Sequence, residues 1–178
     1  MARVATQKGI GRRSIMSSFE REGYQWRETY FVFFDRASRP SLKQIEKRLH
    51  QLSKRFELDG GTADEQGHFE SITLISDSDF AAVDIAYEEG EEVLEQAALL
   101  AKEFKLSQLD ADEREKFKRL PKLDARFDLL HFEHTADEDP LDEEDDEMLD
   151  PSALLLVLDA VLELTDGVGI DPASGSFV

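Results

Sequence analysis

The residues of this chain best suited to chemistry are its 40 carboxylates and four histidines, and cysteine is absent. Without a thiolate there is no disulfide framework, no thiolate zinc site, no iron–sulfur cluster and no cysteine nucleophile. His131-Phe132-Glu133-His134 is the one cluster whose composition resembles a metal-ligand set. On a strand, residues three apart point to opposite faces, so His131 and His134 cannot share an ion without a bulge and read as ordinary strand-end histidines. His50 and His68 have no paired ligand nearby in sequence. Asp77-Ser78-Asp79 offers two carboxylates to a divalent ion, as many phosphoryl-transfer sites do. The same residues suit a tight turn and no phosphate-binding glycine loop accompanies them, so turn chemistry is the better reading. Gly9-Ile10-Gly11 and Gly60-Gly61 neither follow a strand nor open a helix, as a nucleotide fingerprint requires. The Gly-x-Ser-x-Gly elbow of serine hydrolases is missing. The residue pattern therefore assigns no catalytic residue, no metal ligand and no cofactor.

Charge is distributed far less evenly than these candidates. Residues 1–55 hold 13 Lys/Arg against 5 Asp/Glu, a net +8, whereas residues 56–178 hold 8 against 35, a net −27. An acidic body repels nucleic-acid phosphate and anionic membrane surfaces and attracts basic protein patches. The density of acid peaks over residues 137–150, with ten carboxylates and no basic residue. Such a composition cannot bury enough apolar surface to order itself, which predicts a mobile loop. As a calcium loop it lacks the central glycine, and Pro140 interrupts the ligand spacing. It can serve as a plain solubilising segment or as a phosphate mimic entering a basic groove. In the second case Asp142, Glu143, Glu144, Asp145, Asp146 and Glu147 are the partner-binding residues.

These groups must be held by a single domain, since 178 residues are ample for one core and short for two. Residues 1–28 mix glycine, serine and scattered arginine and predict a flexible basic arm, in which Ile15, Met16, Phe19 and Tyr24 remain able to dock. Residues 29–34, Thr-Tyr-Phe-Val-Phe-Phe, are the clearest strand. Being apolar on both faces, this strand is either central and covered on both sides or carries an interface. Ser41 and Gln44 have capping-box spacing, and Leu42, Ile45, Leu49, Leu52 and Phe56 form one helical stripe. Gly60, Gly61, Thr62 and Gly67 mark a loop before strands over residues 69–75 and 80–87. A helix over residues 91–104, a charged insert at about residues 105–122 and a strand over residues 126–133 follow. After the acidic loop, Asp150-Pro151 opens a leucine-crowded helix to Leu164, and a short terminal strand closes domain 29–178.

The first six regular elements, the insert aside, match an α+β ferredoxin-like split βαβ sandwich: a four-stranded antiparallel sheet with two helices on one face. The C-terminal helix then covers the other face or an edge. In element order and in its acidic late segment the chain is similar to the acidic ferredoxin-like regulators that inhibit ribonuclease E. That resemblance implies only an analogy for an acidic segment in a basic groove, and it transfers no residues.

The expected function is a cytoplasmic, non-enzymatic interaction or regulatory domain. It would bind an unidentified, basic protein partner, with self-association as a further expectation. The alternative is a small-ligand-binding domain or enzyme with a pocket between the sheet and the C-terminal helix. No run of apolar residues reaches the roughly 20 needed to span a bilayer.

Overall fold

The structure is a computed structural model that describes residues 18–135 and 152–178. In chain order it contains β1 (Tyr24–Phe34), α1 (Leu42–Leu52), β2 (Phe56–Ala63), β3 (Phe69–Ser76), β4 (Ala81–Glu89) and α2 (Glu91–Glu103). Then come α3 (Ala111–Arg119), β5 (Ala125–His134), α4 (Ser152–Thr165), β6 (Val168–Asp171) and β7 (Ser176–Phe177). The strands form one seven-stranded sheet in the order β2-β3-β4-β5-β1-β6-β7, antiparallel at every neighbour.

The doubly apolar run in β1 explains why that strand is central. Val32 and Phe34 point into the larger core cluster with Ile45 and Leu49 of α1 and Leu154, Val157 and Val161 of α4. Phe33, with Phe31 beside it, points the other way, into a smaller cluster with Val93 and Ala97 of α2, Leu120 and Ile170. With β5 on one side and β6 on the other, the end of β1 is covered on every side. The strand starts at Tyr24, inside the stretch whose composition predicts an arm, and a bulge between Trp26 and Glu28 breaks its pairing with β5.

α1 is capped as its sequence predicts: Ser41 Oγ accepts the Gln44 N–H, and Gln44 Oε1 accepts the Ser41 N–H at 2.8 Å. The helix ends at Leu52, and Phe56, the last residue of the expected stripe, instead opens β2 and stays 6% exposed in the larger cluster. β2 replaces the expected loop around Gly60 and Gly61. Its pairing with β3 is bulged between Asp59 and Thr62, and Gly60 adopts φ 66° there. A Cβ on Gly61 would sit 3.2 Å from Leu42 Cδ1, so glycine lets β2 run close beneath α1. The expected ferredoxin-like arrangement is not what forms: the sheet has seven strands rather than four, with β2 at one end and β6 and β7 at the other, and α1 and α2 pack on opposite faces instead of sharing one, so that α4 joins α1.

α4 lies on the same face as α1, packed on α1 and β1. Ala153, Leu154, Val157, Leu158, Ala160 and Val161 are buried, while Leu155 and Leu156 are exposed. α2 and α3 lie on the opposite side with Leu120 and Leu123, and the smaller cluster there draws its sheet residues from β1 and β6. Among the described residues, no helix is long and apolar enough to cross a membrane.

Candidate functional site

On the face of the sheet turned away from α1 and α4, strands β3, β4 and β5 carry small and polar residues. Ser71, Thr73, Asp84, Ala86 and Leu130 line a groove of about 370 Å³ on that face. The register places Thr73 opposite Asp84, and Asp84 opposite Leu130. Asp84 is the anchor of this surface. Its Oδ1 accepts Thr73 Oγ1 at 2.7 Å and Ser18 Oγ at 2.8 Å, and its Oδ2 accepts the Ser18 N–H at 2.9 Å. These bonds hold a short 3₁₀ turn, Ser18–Glu20, against the sheet, and Arg21 just beyond it pairs with Asp59 of β2.

Beyond that turn the same face becomes aromatic. Phe19 stands edge-on to Phe132, with ring centroids 4.7 Å apart, and is 63% exposed. Trp26 is the register partner of Phe132 and is 52% exposed, its Nε1–H donating to Thr29 Oγ1 at 3.1 Å. One step on, Tyr24 pairs with His134, and their rings meet edge to face at 4.8 Å. The connection from β3 to β4 completes this end. Asp77–Asp79 form a 3₁₀ turn in which Ser76 Oγ donates to Asp79 Oδ2 at 2.6 Å. Phe80 closes the turn at φ 48°, a left-handed conformation unusual for an aromatic residue, and is 51% exposed. Its N–H donates to the Asp77 carbonyl, and its carbonyl accepts the His134 N–H at 2.7 Å.

Tyr24, Asp77, Phe80 and His134 enclose a pocket of about 210 Å³. Burial raises the Tyr24 phenol above its ordinary pKa, and the nearby Asp77 carboxylate raises it further because a phenolate there would face a like charge. Tyr24 therefore remains a neutral hydroxyl at physiological pH.

The two histidines of the sequence cluster fall on opposite faces, as strand alternation requires. His134 belongs to the aromatic end, whereas His131 shares its face with Val83 of the larger core cluster. His131 Nδ1 lies 3.2 Å from Glu28 Oε1, and Glu28 Oε2 accepts the Tyr30 hydroxyl at 3.3 Å. Burial lowers the His131 pKa, and the Glu28 carboxylate opposes that shift without cancelling it. His68, expected to have no partner nearby in sequence, in fact pairs with Asp64 four residues earlier, at 3.2 Å, because the turn between β2 and β3 folds the two together, and His50 lies exposed on α1. Asp77 and Asp79 are divided between the pocket and the turn's own hydrogen bonds. Among the described residues, no three His, Asp or Glu side chains are grouped to hold a metal ion.

Asp142, Glu143, Glu144, Asp145, Asp146 and Glu147 lie outside the described residues. No sequence pattern singles out Trp26, Phe80 or the pocket. Only the docking competence of Phe19 and Tyr24 was legible, as apolar residues within a polar stretch. No family model matches the chain, and neither a curated protein nor a solved structure is significantly similar to it.

Proposed function

We propose that this chain is a non-enzymatic interaction domain that binds a basic protein partner, with the aromatic end of the open sheet face as its contact surface. The observation carrying this reading is that Phe19, Trp26 and Phe80 are each more than half exposed and gather at one end of one face. Large aromatic side chains supply contact area at little conformational cost and are enriched among residues that dominate binding energy. One of them, Phe80, lines a pocket with Asp77, in a chain of net charge −19. A surface of that kind favours a cationic partner over nucleic acid or an anionic membrane. In this reading Asp142 to Glu147 act at longer range, speeding encounter rather than fixing the contact.

Self-association has less to draw on. The apolar end of β1 and most of α4 are used within the core of one chain. The outer strand β2 carries a bulge and exposed Glu57, features that discourage strand addition. Affinity capture at low and high salt tests the proposal, comparing the intact chain with a Phe19→Ser/Trp26→Ser variant and with a copy neutralised at residues 142–147. A basic protein held by the intact chain and lost from the aromatic variant supports it; equal capture by all three rejects it.

The alternative, a small-ligand-binding domain or enzyme, draws support from the groove at Asp84, whose size falls in the range of small-molecule sites, about 300–1,000 Å³. That groove lies on the face away from α4, not between the sheet and the C-terminal helix. A metabolite-sized ligand that raises the melting temperature of the intact chain but not of an Ala86→Trp variant, in which the groove is filled, would favour this reading.

A further inference from the structure

We infer that the pocket formed by Tyr24, Asp77, Phe80 and His134 seats the guanidinium group of an arginine on the basic partner, an inference that rests on the interaction reading above. Three of its four walls are rings. Tyr24 and His134 are fixed to each other edge to face on paired strands. Phe80 is fixed by its backbone, whose N–H and carbonyl are bound to Asp77 and His134. The fourth wall is the exposed carboxylate of Asp77, which makes no ion pair or side-chain hydrogen bond among the described residues. Arg21, the basic residue whose charge is felt at Tyr24, is engaged by Asp59.

A carboxylate beside aromatic faces is a cation site, and the geometry narrows the cation. A divalent metal needs several hard oxygen ligands, and this pocket offers one carboxylate. At about 210 Å³ it is smaller than the sites that bury a whole metabolite but ample for the end of a side chain. A guanidinium is planar, stacks on rings and forks a carboxylate, while an ammonium is compact and more strongly hydrated. Phe19 and Trp26, exposed on the same face, extend apolar surface for residues flanking the arginine.

The test is calorimetric titration of the full chain with acetylated hexaarginine amide and with its hexalysine counterpart at one fixed ionic strength. Asp77→Asn removes the carboxylate. Phe80→Gly removes a ring at a position where glycine is conformationally at ease, so this variant retains the fold, which a thermal melt verifies. Glu95→Gln, on the exposed side of α2, removes one charge elsewhere. The pocket predicts that Asp77→Asn and Phe80→Gly each weaken hexaarginine binding about tenfold, Glu95→Gln less than about twofold, and that hexalysine binds more weakly than hexaarginine. Equal effects of Asp77→Asn and Glu95→Gln would mean diffuse charge attraction and overturn the pocket while leaving the interaction reading standing. Equal affinity for hexalysine would overturn the choice of guanidinium. Absence of hexaarginine binding to the intact chain would overturn the pocket, and the capture experiment above then decides the interaction reading by itself.

Discussion

Ser18 gives both its hydroxyl and its backbone N–H to the carboxylate of Asp84, 66 residues away, at 2.8 and 2.9 Å. Thr73 adds a third donor from the neighbouring strand. Ser18 and Thr73 are 0% and 4% exposed, so their donors have no ready access to water if the acceptor is removed. Asp84→Ala should destabilise the fold by about 1–3 kcal/mol, the usual cost of leaving buried polar groups unpaired. Asp84→Asn, which keeps one acceptor oxygen, should cost less. Urea denaturation monitored by Trp26 fluorescence measures both, and equal stability of all three proteins would contradict the anchoring role.

Phe80 supplies a second test, because its left-handed backbone disfavours any residue with a Cβ. The ring is half exposed and forfeits little burial on removal. Phe80→Gly should therefore be more stable than Phe80→Ala, by about 1 kcal/mol, the reverse of the order expected in a strand or helix interior. Comparative thermal melts decide it, and an alanine variant at least as stable as the glycine variant would show that the turn relaxes to another conformation.

The turn between α4 and β6 is fitted against the centre of the sheet at Gly167. A Cβ there would lie 2.7 Å from Val32 Cγ1, 2.8 Å from Thr165 Oγ1 and 3.0 Å from the Phe33 carbonyl oxygen. One of those neighbours is main chain of the central strand and cannot swing aside. Gly167→Ala should cost about 1–3 kcal/mol, as overpacking of a filled core does. A neutral effect in chemical denaturation would place α4 differently against β1.

His131 predicts a pH dependence whose sign follows from its environment. Burial holds its folded-state pKa below the ordinary value of 6.5. As pH falls through the unfolded-state value, the unfolded chain takes up a proton that the folded chain resists, so stability declines from about neutral pH downward. His131→Gln removes that proton from both states. Its melting temperature should fall less than that of the intact chain between about pH 7 and pH 5.5. Parallel curves would mean that His131 titrates alike in both states.

How much of this was legible beforehand depended on whether the signal was local. The capping box at Ser41 and the doubly apolar end of β1 are local patterns, and each appears where its residues predict it. β2 is hidden in the sequence because Asp59, Gly60 and Gly61 carry the composition of a loop; at a bulged edge strand beneath a helix, the same glycines provide bend and clearance. The first part of β1 pairs with β5 alone, since β6 reaches only Phe31 to Phe33, so its polar residues did not read as a strand. The aromatic pocket draws on residues 24, 77, 80 and 134. No spacing within one element could announce it, because antiparallel pairing and a three-residue turn bring those positions together.

We propose that a basic protein recognises the aromatic end of the open sheet face. The most direct test is salt-resolved capture from the source cell's lysate with the intact chain and the Phe19→Ser/Trp26→Ser variant. The intact chain should retain a basic partner that is released as salt rises and is absent from the variant at every salt concentration. Identical retention by the two proteins would contradict it.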